Sequence, residues 1–187
     1  MSAAATKERI SGASPSSIAR IAGFFYVVNI VTGLYSFFGG RPRLAFACGL
    51  IGTACYIAVT ILFYFLFRPV NRSLSLVAAL FSFAGSAVGH VGFIHIHFLV
   101  FFGFYCLLIG YLILKSTFLP RFLGVLMMIA GLGWLTFVSP SLAGSLHPYN
   151  LWSGGIGEGL LTLWLVVWGV NAQHWDEQAA ASAAGRQ

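Results

Sequence analysis

The chain has little charge and almost no acid. Only 7% of its 187 residues are charged, and four are Asp or Glu. Soluble domains carry roughly 25% charged residues to build a hydrated surface, so a water-soluble fold of this length is excluded. Cysteine is also scarce. Cys48, Cys55 and Cys106 fall inside apolar blocks without a CxxC pair, as small buried hydrophobes do. No G-x-S-x-G, HExxH, Walker or dinucleotide pattern occurs, which leaves the common catalytic classes without a candidate. The net charge is +6, but the basic residues are scattered in ones and twos. They form no basic patch interleaved with aromatics, so nucleic acid is not an expected partner.

Apolar residues are abundant: 59% of the chain is hydrophobic and 16% aromatic. They come in blocks of about twenty, the length of a helix that crosses a ~30 Å hydrocarbon layer. The sequence predicts an all-α six-transmembrane-helix bundle in a lipid bilayer, with spans near 18–38, 44–67, 74–91, 93–114, 119–138 and 151–170. Together these form one membrane domain, 18–171. The segments 1–17 and 172–187 are polar tails, the second a fraying helix at most. The first block is span-length and has no A-x-A site, so it is expected to remain as a span.

Charge sets the orientation. With six spans, one side holds Lys7, Arg9, Arg20, Arg68, Arg72, Lys115, Arg121 and Arg186, and the other only Arg41 and Arg43. The positive-inside rule then places both termini in the cytoplasm, N-in and C-in. Ala19-x3-Gly23, Gly85-x3-Gly89 and Gly155-x3-Gly159 offer small-residue faces for close helix packing, or for a homo-oligomer.

Two features carry candidate chemistry. Gly89-His90-Val91-Gly92-Phe93-Ile94-His95-Ile96-His97-Phe98 holds three of the five histidines at the turn between the third and fourth spans. Glu158 is the one acidic residue inside any span. It lies about two turns from the outer end of the sixth span, roughly 10–12 Å deep at ~1.5 Å per residue. An ionised carboxylate facing lipid is costly, so Glu158 must point inward, be protonated or have a partner. Asn29, Thr53 and Ser82 fall at similar depth, with His90, His95, His97 and His147 above them near the outer surface.

Four readings follow. In one, Glu158 bonds hydroxyls or an indole of neighbouring helices and serves as glue. In the second, Glu158, Asn29, Thr53, Ser82 and His90 form a small outward-facing polar pocket with a ligand-binding or proton-coupled role and no enzymatic activity or cofactor. In the third and fourth, His90, His95, His97 and His147 ligate a transition metal or haem in a redox protein. The polar pocket leads. The metal or haem reading is its alternative.

Gly110-Tyr111-Leu112-Ile113-Leu114-Lys115-Ser116-Thr117-Phe118-Leu119-Pro120-Arg121-Phe122-Leu123-Gly124-Val125-Leu126, followed by Ala130-Gly131-Leu132-Gly133, has a familiar pattern. With Phe67-Arg68-Pro69-Val70-Asn71-Arg72 and Gly157-Glu158, it resembles the bacterial membrane family known as domain of unknown function family 4386. The resemblance covers about Ala19 to Asn171. It implies a six-helix integral membrane protein, supplies no established activity, and makes Gly157-Glu158 and Leu119-Pro120-Arg121 part of the family pattern.

Overall fold

The structure is a computed structural model that describes residues 14–90 and 97–184, apart from the side chains of Phe37 and His90. Every regular element among the described residues is helical. Helix α1 covers Pro15–Phe38, α2 Pro42–Phe67, α3 Arg72–His90 and α4 Phe98–Lys115. Helix α5, Arg121–Leu135, runs on into a 3-10 turn at Thr136–Val138. Short α6 (Pro140–Leu146), then α7 (Tyr149–Val167) and α8 (Ala172–Ala184), complete the chain.

Local sequence explains where these helices begin. Pro15, Pro42 and Pro140 occupy first-turn positions, where a missing N–H costs nothing. Ser14 caps α1 by accepting from Ser17 N at 3.1 Å. Asn71 and Asn171 cap α3 and α8 by accepting from Leu74 N and His174 N. Helix α7 ends at Gly169, whose φ of 69° favours glycine; its N–H reaches Trp164 O at 3.1 Å.

Helices α1 to α4, and α5 together with its 3-10 turn, are long and apolar enough to cross a membrane. Helix α7 carries Asn150 and Glu158, and reaches that standard only together with α8, from which it is bent by 103°. Phe24, Phe46, Leu132, Leu163 and Trp168 are exposed on the outside of the bundle. Such a surface suits lipid and not water. The chain is a helical multi-span membrane protein.

The helices form a closed ring in which α1 contacts α2, α2 α3, α3 α4, α4 α5, α5 α7, and α7 returns to α1. Side chains of α4 fill the centre, with Tyr105, Cys106, Ile109, Leu112 and Ile113 all buried. The tightest seam joins α4 to α5. A Cβ on Gly110 would lie 2.7 Å from Gly124 O, and one on Gly124 2.7 Å from Gly110 O. One helical stretch away, Gly103 and Gly131 repeat the reciprocal contact at 2.9 and 2.8 Å. Backbone meets backbone there because neither side has a side chain.

The small-residue faces expected from the sequence fare unequally. Gly23 packs on Val166 of α7, and Gly85 on Phe101 of α4. Gly155 and Gly159 have nothing within 4 Å, so α7 uses Gly154 and Gly157 instead, against Trp134 and against Leu126 O.

Two segments differ from the sequence expectation. The loop 139–150 contains α6, and the tail expected to fray contains α8, docked across the basic end of the bundle. Its side chains supply partners for helix-terminal carbonyls that would otherwise be left over. Trp175 Nε1 donates to Leu66 O at 2.8 Å, and Gln178 Nε2 to Lys115 O at 3.2 Å. His174 Nδ1 lies 3.1 Å from Thr117 O, and Asn171 N donates to Phe118 O. Clefts flank α8, one lined by Val70, Asn71, Tyr111 and Lys115, the other, of about 450 Å3, by Pro120, Trp164, Trp168 and His174.

The seam yields a paired prediction. Gly124→Val forces α5 away from the Gly110 carbonyl and is expected to cost about 3 kcal/mol or more. Gly155→Val, with open space around it, leaves thermal unfolding in detergent unchanged. Equal melting temperatures for the two variants contradict the seam.

Candidate functional site

Glu158 sits in the tenth position of α7, 8% exposed, and points into the ring. Its two oxygens are held separately. Tyr26 Oη of α1 donates to Oε2 at 3.1 Å, and Trp134 Nε1 of α5 donates to Oε1 at 2.7 Å. Both partners are neutral. The arrangement depends on glycine, because the Trp134 indole lies on Gly154, one turn before Glu158, where a Cβ would overlap the ring. Gly157 likewise admits the Leu126 carbonyl and the Ala130 methyl of α5.

The two donors differ in kind. An indole N–H can only donate, so Trp134 fixes Oε1 as an acceptor. A phenol both donates and accepts. Tyr26 can therefore donate to the carboxylate, or accept from a carboxylic acid protonated on Oε2. The site holds either protonation state without losing a hydrogen bond.

A separate set of polar side chains lies at the start of α7, toward the end of the bundle opposite α8. Asn150, at the start of α7, donates from Nδ2 to Thr136 Oγ1 at 3.1 Å and to Ala143 O of α6 at 3.2 Å. Ser153 Oγ donates to Asn150 O at 2.8 Å. Among the described residues no side-chain hydrogen bond links this set to Trp134 or Glu158.

The other expected pocket residues bond groups other than Glu158. Asn29 Nδ2 donates to Gly52 O at 3.0 Å, which ties α1 to α2. Thr53 Oγ1 donates to Gly49 O of its own helix. Ser82 pairs with Thr60 at 2.5 Å between α2 and α3. No hydrogen bond joins these three to Glu158 among the described residues, so their contact with it was an expectation of depth alone. Nothing is described of the His90 side chain, and His95 falls outside the described residues.

His97 acts as the N-cap of α4. Its Nδ1 accepts from Leu99 N at 3.3 Å, and its ring packs on Phe98 and Phe137 with centroids 5.0 and 5.2 Å away. Partial burial lowers its pKa from the usual histidine value. A ring accepting at Nδ1 is a helix cap in the neutral form. His147 caps the end of α6. Among the described residues no three His, Cys, Asp or Glu side chains are grouped to hold a metal.

Sequence reasoning missed Tyr26 and Trp134. Tyr26 had a usable signal. Tyrosines in membrane helices favour the interfaces, and Tyr26 is the twelfth of 24 residues in α1. Trp134 lies near the end of α5, where an interfacial tryptophan is ordinary, so nothing in its position marked it.

The family described as Domain of unknown function (DUF4386) matches residues 39–100 and 95–169. The chain belongs to that family. An uncharacterized protein of Archaeoglobus fulgidus is 31% identical over 125 residues, which cover 60% of this chain and 76% of that protein. No solved structure matches.

Trp134→Phe keeps the ring on Gly154 and removes the one donor that fixes Oε1. It is expected to cost about 1–2 kcal/mol of stability, measured by thermal unfolding in detergent against wild type. An unchanged melting temperature shows that the Glu158 bond adds nothing.

Proposed function

We propose that this family member is a non-enzymatic, six-span protein of a bacterial cytoplasmic membrane, both termini inside, in which Glu158 takes up and releases a proton in a small polar pocket open to the outer side. One observation carries this. A carboxyl buried inside a membrane bundle is held by two neutral donors, and one of them, Tyr26, serves both protonation states. The pairing of Asn150, Thr136 and Ser153 between Glu158 and the end opposite α8 supports an outward opening. The count of eight basic residues against two supports the orientation.

Intramembrane carboxyls that serve only as glue do not need to exchange protons. Glu158→Gln mimics the protonated state, since its carbonyl accepts from Trp134 while its amide donates to Tyr26, and the variant is expected to fold. Infrared difference spectra of wild type between about pH 5 and pH 9 should contain a carboxyl band that Glu158→Gln lacks. A band-free spectrum overturns the proton role. A stoichiometric metal or a Soret band in the purified protein would instead favour the redox alternative. For orientation, Asn71→Cys should resist a membrane-impermeant maleimide on intact cells while Gly40→Cys reacts. The opposite pattern reverses the topology.

A further inference from the structure

A cleft of about 300 Å3 opens at the basic end of the bundle, between the start of α3, the end of α4 and α8. It is lined by Val70, Asn71, Tyr111, Leu112, Lys115 and Gln178. Small-ligand sites run from ~300 to ~1,000 Å3, so this one suits a polar headgroup.

Its polar wall is fixed by the fold. Gln178 Nε2 donates to Lys115 O at 3.2 Å, and Gln178 Oε1 accepts from Thr117 N at 3.1 Å and from Thr117 Oγ1 at 3.2 Å. Asn71 Oδ1 is taken up in capping α3, where it accepts from Leu74 N at 3.0 Å. That bond orients the amide and leaves Nδ2 as a donor without a partner among the described residues. Lys115 ends α4, with its Nζ 5.7 Å from the centre of the Tyr111 ring.

Charge around the cleft is of one sign. Exposed Arg68 and Arg72 flank Val70 and Asn71 in the chain. No carboxylate pairs with Lys115 among the described residues. Asp176 and Glu177, the acids of α8, are exposed and line neither cleft, and Glu177 accepts from Gln173 at 3.0 Å. An ammonium group, a free amide donor and two nearby guanidinium groups select a phosphate. A zwitterionic headgroup would bring its own cation beside them, with no acid in the lining to receive it.

The surroundings select a lipid as the source of that phosphate. Tyr111 is exposed, and so is Phe104, two turns earlier on the same face of α4. Phe81 of α3 packs against Phe104 at 5.2 Å. Acyl chains leaving the cleft therefore meet an apolar track along α3 and α4. Basic pockets between the ends of membrane helices bind anionic headgroups in this way.

We infer that this cleft binds an anionic phospholipid from the leaflet at the basic end, Lys115 meeting the charge of the headgroup phosphate and Asn71 Nδ2 donating to one of its oxygens. The site is independent of Glu158 and its proton.

Thermal unfolding of the full-length protein in an uncharged detergent tests this, with dioctanoyl phosphatidylglycerol titrated in. That lipid should raise the melting temperature saturably. Dioctanoyl phosphatidylcholine, with the same chains, and free glycerol phosphate, with none, should not. Lys115→Gln changes an exposed side chain and should weaken the response about fivefold. Asn71→Asp keeps an acceptor for Leu74 N, so its own melting temperature should stay level while the charge it brings into the cleft removes the phosphatidylglycerol shift. Arg121→Gln takes a charge from the same end but outside the cleft, and should weaken binding less than Lys115→Gln. Equal shifts from the two lipids, or a matching shift from free glycerol phosphate, overturn the phospholipid site. So do equal losses in Arg121→Gln and Lys115→Gln, or an undiminished response in Asn71→Asp.

Discussion

The backbone contact between α4 and α5 is the constraint from which the interior follows. Gly103, Gly110, Gly124 and Gly131 let the two helices touch through their carbonyls. Lipid gives helices little reason to associate through apolar area, so close approach and dispersion must do it. The seam then sets the position of Trp134, one turn beyond Gly131. With α5 held against α4, its other face meets α7 at Gly157 and Gly154, and the indole reaches Glu158. A bulkier residue at any of these glycines would move the donor before it disturbed the carboxyl.

The two ends of the bundle are finished differently. At the basic end α8 turns across the helix termini, and Trp175, His174 and Gln178 cover carbonyls of α2 and of the α4–α5 connection. Arg68 and Lys115 lie over the rings of Phe65 and Tyr111 there, as basic side chains do when their stems follow apolar surface. At the opposite end the described residues include the short α6, joined to α7 through Asn150.

Much of the architecture was legible because it follows from length, apolar content and breaks. The prolines at 15, 42 and 120, and the charged turns, mark helix starts through local backbone chemistry that tertiary packing does not override. Helix α8 was not legible. Ala172–Ala184 is polar and alanine-rich, and its stability comes from Trp175 and Gln178 reaching carbonyls 109 and 63 residues away in sequence. The glycine seam was hidden for a different reason: its members are spaced by seven, while the familiar motif is spaced by four. Glu158 stood out because one acid in an apolar chain is conspicuous by charge alone. Its partners are not charged, and of the two only Tyr26 was out of place for its type. Depth along a span did not separate the polar residues that meet Glu158 from Asn29 and Thr53, because depth says nothing about which face of the helix a side chain occupies.

That difference bears on why the residue is a glutamate. Glue needs hydrogen bonds, and a glutamine would supply them to Trp134 and Tyr26 with no charge to desolvate. A glutamate at this depth adds one capability, the exchange of a proton, and its surroundings are arranged to tolerate the exchange. The indole holds one oxygen in a single role, and the phenol can reverse its own. The buried hydroxyl of Thr162, one turn from Glu158 and without a hydrogen-bond partner, adds a cost that helix association does not require. A site serving only cohesion would be expected to lose both the charge and the unpaired hydroxyl, since replacement by an amide or by a methyl group relieves a penalty without opening the seam.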